Sequence, residues 1–316
     1  MKLFVVSIPV IDLRVPSSHA ARQIHRACTD VGFFAIAGHG VPHSVIEQAW
    51  AQTTAFFDLA MSQKMAARHS DTNHPYGYFP AGEALARSRG VDTPPDLKES
   101  FNLAPPSSHD DGTGRFGGVE RIWPDEAPGF RQAWEAYYLA MVQLADRLMA
   151  LFAVALGVEP VHFTSRTGRH LSALRGLNYP PLEARPEHTQ LRAGAHSDYG
   201  TLTILLPGPG AGGLEVQTAA GAWLPVDPIA GSFVVNVGDM MQLWTNDRWR
   251  STLHRVALPQ DHAERRQSLA FFHQPDWDAE ITTLPSCIDS EHPQKHEPVI
   301  AGPWLRAKFD RASGRG

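Results

Sequence analysis

The sequence predicts an α+β protein with a jelly-roll core braced by helices and a mixed α/β amino-terminal segment. Three observations carry this expectation. After about residue 170 the chain breaks into short runs rich in Val, Leu, Ile, Thr and Phe. Gly, Pro, Asn and Asp separate them at intervals near the ~8 to 12 residues of an all-β sandwich or barrel. Before them lies one long segment whose apolar residues recur every three to four positions, the period of a helix. The opening third alternates strand-like and helix-like stretches.

Residues 8 to 12 read as a short strand, and the segment after Ser17 and Ser18 as a helix capped by a hydroxyl and ending near Asp30. The run GFFAIA, Gly32 to Ala37, reads as a buried strand. The chain then turns at Gly38-His39-Gly40 and enters a helix behind Pro42 that carries Val45, Ile46, Trp50 and Phe56. From about 70 to 125 the pattern is broken by Gly, Pro, Ser and Asp, which predicts long loops with one strand near Phe101. Loops of that length in an enzyme often form lids, so Tyr76, Tyr78, Phe79, Arg87 and Arg89 are candidates for a pocket rim.

Phe130, Trp134, Tyr138, Met141, Leu144, Leu148 and Phe152 then mark a strong helix that Gly157 stops. The expected core strands are 172 to 179, 191 to 196, 201 to 206, 213 to 217, 222 to 226, 232 to 237, 251 to 256 and 266 to 273. Eight strands suit a double-sheet jelly roll. An amphipathic helix over Val299 to Asp310 is expected before a Gly-Ser tail. The chain thus divides into an amino-terminal segment 1–105, a loop and bracing helix 106–169, a catalytic core 170–280 and a carboxy-terminal loop and helix 281–316, packed as one structural domain.

Composition narrows the function. A formal charge of -5, spread without blocks, offers no electrostatic footprint for nucleic acid or an anionic membrane. A small-molecule partner is expected, and oligomeric state is left open. Cys28 and Cys287 are too few for a disulfide framework and have no CxxC spacing, which suits a reducing cytoplasm. The start, MKLFVVSIPVIDL, is cut by Pro9 and Asp12 and reads as a strand rather than a secretory core. No stretch is expected to approach the ~20 apolar residues that span a bilayer.

Asp198 follows His196 by two residues, so on an extended strand end both side chains fall on one face and can grip one ion. The spacing alone is weak: 16 His and 19 Asp in 316 residues give about one such pair by chance. His109 and Asp111 repeat it, but inside a Ser, Gly and Asp cluster with no strand to hold them. His196 and Asp198 end one apolar strand and are followed by Tyr199-Gly200 and the run TLTILL. A third ligand must come from His254, His262, His273, His292 or His296. His254 lies in a strand-like run, STLHRV, whereas His262, His292 and His296 sit in polar loops and His273 closes the core run LAFFH. Two imidazoles and a carboxylate leave positions open on an octahedral ion, the arrangement of a non-haem iron(II) oxygenase. Structural zinc sites usually close with four Cys or His ligands, which disfavours a non-catalytic metal-binding jelly roll.

Arg266 and Ser268 open the last core strand on one face, a guanidinium fork and a hydroxyl suited to one carboxylate. Arg311 and Ser313 repeat the spacing in the terminal tail, where nothing would fix them.

Taken with IPVIDL, GFFAIAGHGV, DLKESFNL, NYPP, HSDYGTLTIL, GGLEV, FVVNVGDMMQLWTND, STLHRV and RQSLAFF, these residues make nearly the whole chain resemble one family. It is the isopenicillin N synthase-like branch of the iron(II)/2-oxoglutarate-dependent dioxygenases. The resemblance implies a double-stranded β-helix core and iron ligation by His196, Asp198 and His254. It also implies that Arg266, Ser268 and Tyr179 bind the distal carboxylate of the co-substrate 2-oxoglutarate. The family's asparagine position is Leu177 here, so no role passes to Asn178. The implied activity couples oxidative decarboxylation of 2-oxoglutarate, with O2, to hydroxylation, desaturation or ring closure of a small substrate. The alternative is an iron oxygenase of the same fold that uses no 2-oxoglutarate, since isopenicillin N synthase keeps a similar Arg-x-Ser pair for a substrate carboxylate.

Overall fold

Successive side chains on a strand point to opposite faces, and the core strands use that parity to separate a helix-packed face from a face lining the site. The computed structural model describes residues 7–312, apart from 72–73, 83–94, 110–111, 113, 183–185, 187–189, 209–211 and 260–263. Arg87, Arg89, Asp110, Asp111, His262 and Ser313 lie outside the described residues.

In chain order come β1 (Val10–Asp12), α1 (Ser17–Asp30), β2 (Phe33–Ala37), α2 (His43–Phe57), α3 (Met61–Ala66), β3 (Gly77–Phe79), β4 (Glu99–Leu103), α4 (Phe130–Leu156) and α5 (Val161–Thr164). The second half holds β5 (Ala173–Tyr179), β6 (Ala193–His196), β7 (Leu202–Pro207), β8 (Leu214–Gln217), β9 (Trp223–Pro225), β10 (Phe233–Val237), α6 (Asp239–Trp244), β11 (His254–Val256), β12 (Arg266–His273), β13 (Glu280–Ile281), β14 (Val299–Ile300) and α7 (Ala301–Ala312). Eight strands form one sheet in the order β1-β2-β10-β7-β12-β5-β4-β3, and a second sheet runs β6-β11-β8-β9. Apart from the parallel β1–β2 pair, the neighbours in both sheets are antiparallel.

One face of the large sheet packs on α4. Leu174, Ile204, Val235, Leu269 and Phe271 join Phe130, Trp134, Tyr138, Leu148 and Phe152 in the main core. Burying each such side chain stabilises the fold by about 1.5–3 kcal/mol. The opposite face meets the small sheet: Phe33, Ala35 and Val234 pack on Leu214 and Val216, and Leu177, Tyr179 and Ala270 on Ala193 and Val256. The two layers are those of a jelly roll.

Several details differ from the sequence expectations. Helix α1 has no hydroxyl cap: Ser17 is already helical, and the cap position is Pro16, with no side-chain bond. The 70–125 region contributes two strands, because β3 adds to the edge of β4. That pairing sets the parity of β3 and turns Tyr78 away from any pocket rim, to donate to Glu99 in the core. Helix α4 is long and apolar enough by composition to cross a membrane, which corrects the expectation that none is. Half of its most apolar stretch is buried inside the protein. The helix ends as expected at Gly157, whose φ of 67° is costly for residues with a Cβ.

Candidate metal centre and anion pocket

The centre is built on a cross-strand pair. His196 ends β6 directly opposite His254, the first residue of β11. Their rings lie 4.3 Å apart. The backbone beyond β6 brings Asp198 between them, with Oδ1 4.0 Å from His196 Nε2 and 3.8 Å from His254 Nε2. All three ligand atoms fall within 4.8 Å of one another, the one such His, Cys, Asp or Glu cluster among the described residues.

The partners of these side chains aim the free atoms inward. His196 Nδ1 lies 2.8 Å from the carbonyl of Gly194, and His254 Nδ1 3.1 Å from that of Thr252. A carbonyl only accepts, so each Nδ1 carries the proton and each Nε2 keeps a lone pair for a metal. Asp198 Oδ2 accepts from Thr203 Oγ1 at 2.6 Å and Asn236 Nδ2 at 2.7 Å, which leaves Oδ1 for the ion. Gly238 closes the arrangement: a Cβ there would collide with the Gly200 carbonyl oxygen and lie 2.9 Å from that of Asp198. The turn it permits lets Asp239 N donate to the Asp198 carbonyl at 2.8 Å.

Electrostatics suit a cation. Burial, reinforced by the neighbouring His254, brings His196 down to about 4. Burial opposes ionisation of Asp198, but His254, His196 and the bonds from Asn236 and Thr203 outweigh it and hold the carboxyl below its ordinary range. The lowered His196 and the ionised Asp198 match the protonation states that a divalent ion requires of such ligands.

On the same face of the large sheet, Arg266 in β12 stands in register with Tyr179 in β5, and Ser268 with Leu177. Arg266 Nη1 donates to Ser268 Oγ at 3.3 Å, and the guanidinium lies 4.9 Å over the Tyr179 ring. Its buried Nε has no hydrogen-bond partner. A buried donor without a partner is rare, and an anion would satisfy it. The donor set therefore fits both a divalent ion and the carboxylate of a chelating co-substrate.

Other candidates are placed elsewhere. His273 is buried with Nδ1 2.7 Å from Thr201 Oγ1. His292 contacts Asp289 and His296 contacts Asp247. His109 Nδ1 meets the carbonyl of His170. Tyr76 is buried and donates to the Phe116 carbonyl. Asn178 faces the helices, donating to Glu99 at 2.7 Å and accepting from Gln267.

Sequence reasoning missed Thr203, Asn236, Arg192 and Arg175. Arg192, buried beside Arg266, donates to the Glu264 carbonyl and has an unpartnered Nε. For Arg175 a signal was available, because residues 175, 177 and 179 alternate onto one face of β5.

Comparison with known proteins agrees with this geometry. Residues 8–126 match the amino-terminal model of the non-haem dioxygenases in morphine synthesis, and residues 171–275 match the 2OG-Fe(II) oxygenase superfamily. The chain is 37% identical to the 2-oxoglutarate-dependent dioxygenase caaD of Aspergillus niger, over 85% of this chain and 84% of that protein. It is 33% identical to the validamycin A dioxygenase of Streptomyces hygroscopicus subsp. limoneus, over 88% and 80%. A full-length protein of Neurospora crassa, solved in complex with alpha-KG, superposes with a TM-score of 0.85 at 25% identity, covering 98% of each chain. A histidine pair and aspartate at the mouth of a jelly roll, two family models and relatives along most of the chain lead to one conclusion: the protein belongs to the iron(II)- and 2-oxoglutarate-dependent dioxygenases.

Proposed function

We propose that His196, Asp198 and His254 hold the catalytic iron(II), and that Arg266, Ser268 and Tyr179 hold the distal carboxylate of 2-oxoglutarate. The reaction is the hydroxylation, desaturation or ring closure of a small organic substrate. The observation that carries this reading is the orientation of the three donors: both Nδ1 atoms and Asp198 Oδ2 are engaged by the protein, so Nε2, Nε2 and Oδ1 converge.

Bound there, iron(II) with 2-oxoglutarate and dioxygen would supply the oxidising power that no side chain provides. The chain's own residues position and shield. Thr203 and Asn236 keep Asp198 turned so that one oxygen faces the ion. Arg266 and Ser268 present a fork and a hydroxyl to the far carboxylate, with the Tyr179 ring setting the guanidinium plane. Leu177, Ala193, Val256 and Ala270 line the space between the sheets with apolar surface that excludes water. Two buried free cysteines support a cytoplasmic setting.

Replacing Asp198→Ala tests the metal assignment. The variant is expected to fold, to bind no iron(II) in an anaerobic titration and to release no succinate. An iron-loaded, active variant would overturn the reading. Substrate-dependent succinate release from the wild type separates it from an oxidase of the same fold that uses no 2-oxoglutarate.

A further inference from the structure

Arg175 lies on the same face of β5 as Leu177 and Tyr179, in register with Ala270 of β12 and Asn102 of β4. Its Nε donates to Asn102 Oδ1 at 2.8 Å. Asn102 Nδ2 in turn donates to the Pro75 carbonyl at 2.9 Å, which fixes the amide with its oxygen toward the guanidinium. The guanidinium lies 5.1 Å over the ring of Phe272. One nitrogen is thus tied and the plane is set, while the two terminal nitrogens make no hydrogen bond and no ion pair with any described residue.

The side chain is half-buried, on the face of β5 that also carries Leu177 and Tyr179 and meets the small sheet. Asp198, Tyr179, Tyr199 and Tyr76 are the ionisable groups close enough to act on it. It thus shares the face of the large sheet that carries Tyr179 and Arg266. Among the described residues near the site, Lys98 pairs with Asp96 at 2.6 Å, Arg192 donates to the backbone carbonyl of Glu264 and keeps an unpartnered Nε, and Arg266 donates to Ser268. Asp198 acts on the guanidinium without pairing with it, and a partly buried guanidinium gains from a counter-charge bound directly. A bidentate carboxylate matches its two remaining N–H edges.

We infer that Arg175 recognises the primary substrate, that this substrate carries a carboxylate, and that Asn102 and Phe272 act as positioning residues for the guanidinium. This rests on the iron and 2-oxoglutarate assignment above, which leaves Arg175, among the described residues, as a cation on that face whose two terminal nitrogens have no assigned partner. The carboxylate fixes one end of the substrate beside the metal and so selects which carbon is oxidised.

The test uses wild-type enzyme with iron(II) and 2-oxoglutarate under anaerobic conditions. L-proline, phenylacetate and hexanoate are each titrated against their primary amides, following the visible band of the iron and 2-oxoglutarate complex and the thermal midpoint. At least one acid is expected to bind, with its amide weaker by about 10- to 100-fold, the worth of a charge-assisted hydrogen bond. Arg175→Met is expected to erase the preference for acid over amide while leaving 2-oxoglutarate affinity unchanged. Arg175→Lys, which keeps the charge and loses the fork, is expected to fall between. Acid preference surviving in Arg175→Met, amides binding as well as acids, or a wild type that binds none of the acids would each overturn the inference. So would a fall in 2-oxoglutarate affinity in Arg175→Met, which would put the residue on the co-substrate. Failure of the underlying assignment shows separately, as no visible band before any acid is added.

Discussion

Asn236 and Asp198 stand 38 residues apart in the chain, yet the Asn236 amide donates to Asp198 Oδ2 at 2.7 Å. The bond links the floor of the large sheet to the loop beyond β6, and with Thr203 it engages Oδ2 and leaves Oδ1 turned toward His196 and His254.

Asn236→Ala is therefore expected to keep all three ligands and lose their alignment. Iron(II) affinity should fall about 10- to 100-fold, the usual cost of removing a group that orients a metal ligand. Anaerobic iron titration checks this. Unchanged affinity would show that Thr203 alone suffices.

Arg266→Met separates co-substrate from metal. The 2-oxoglutarate concentration for half-maximal succinate release should rise about 10- to 100-fold, as expected for losing charge-assisted hydrogen bonds, with iron binding retained. Equal loss of both would mean that the variant disturbs the sheet rather than the anion pocket.

Acid should destabilise the metal-free protein through its buried histidines. Burial, with His254 nearby, holds His196 at about 4; burial, with His109 and Arg121, holds His170 at about 4; burial, with His170, holds His273 at about 3. All three lie below the ~6.5 of an unfolded chain, so from about 6.5 downward the unfolded state takes up more protons. Their contribution is whole above that range and drains away as pH falls toward 4. The thermal midpoint should decline over this window, and iron affinity with it, because the ligating imidazoles must be neutral. A flat midpoint would contradict the histidine burial.

Much of this was legible in the sequence, and for identifiable reasons. The core strands show because Gly, Pro, Asn and Asp punctuate runs of alternating parity. His254 stood out from the other downstream histidines because its neighbours read as a strand. Thr203, Asn236 and Arg192 were hidden because their importance lies in which distant residue they face. Tyr78 was misplaced for the same reason: a three-residue strand has no legible parity until its partner, β4, is known. The absent cap at Ser17 reflects Pro16, whose ψ of 138° lets the helix begin one residue earlier than a hydroxyl cap would.

Strand β2 has a bearing on how the enzyme comes into being. It pairs with β10, so that Phe33 meets Asn236 across about 200 residues of chain. During synthesis β2 has only β1 beside it until β10 emerges, and closing so long a loop slows folding. Unless β2 docks, the Asn236 edge of β10 is bare, and a bare edge invites pairing with another chain. The amino-terminal strand is thus a seal: a chain lacking it would leave the Asn236 edge of the large sheet open to aggregation.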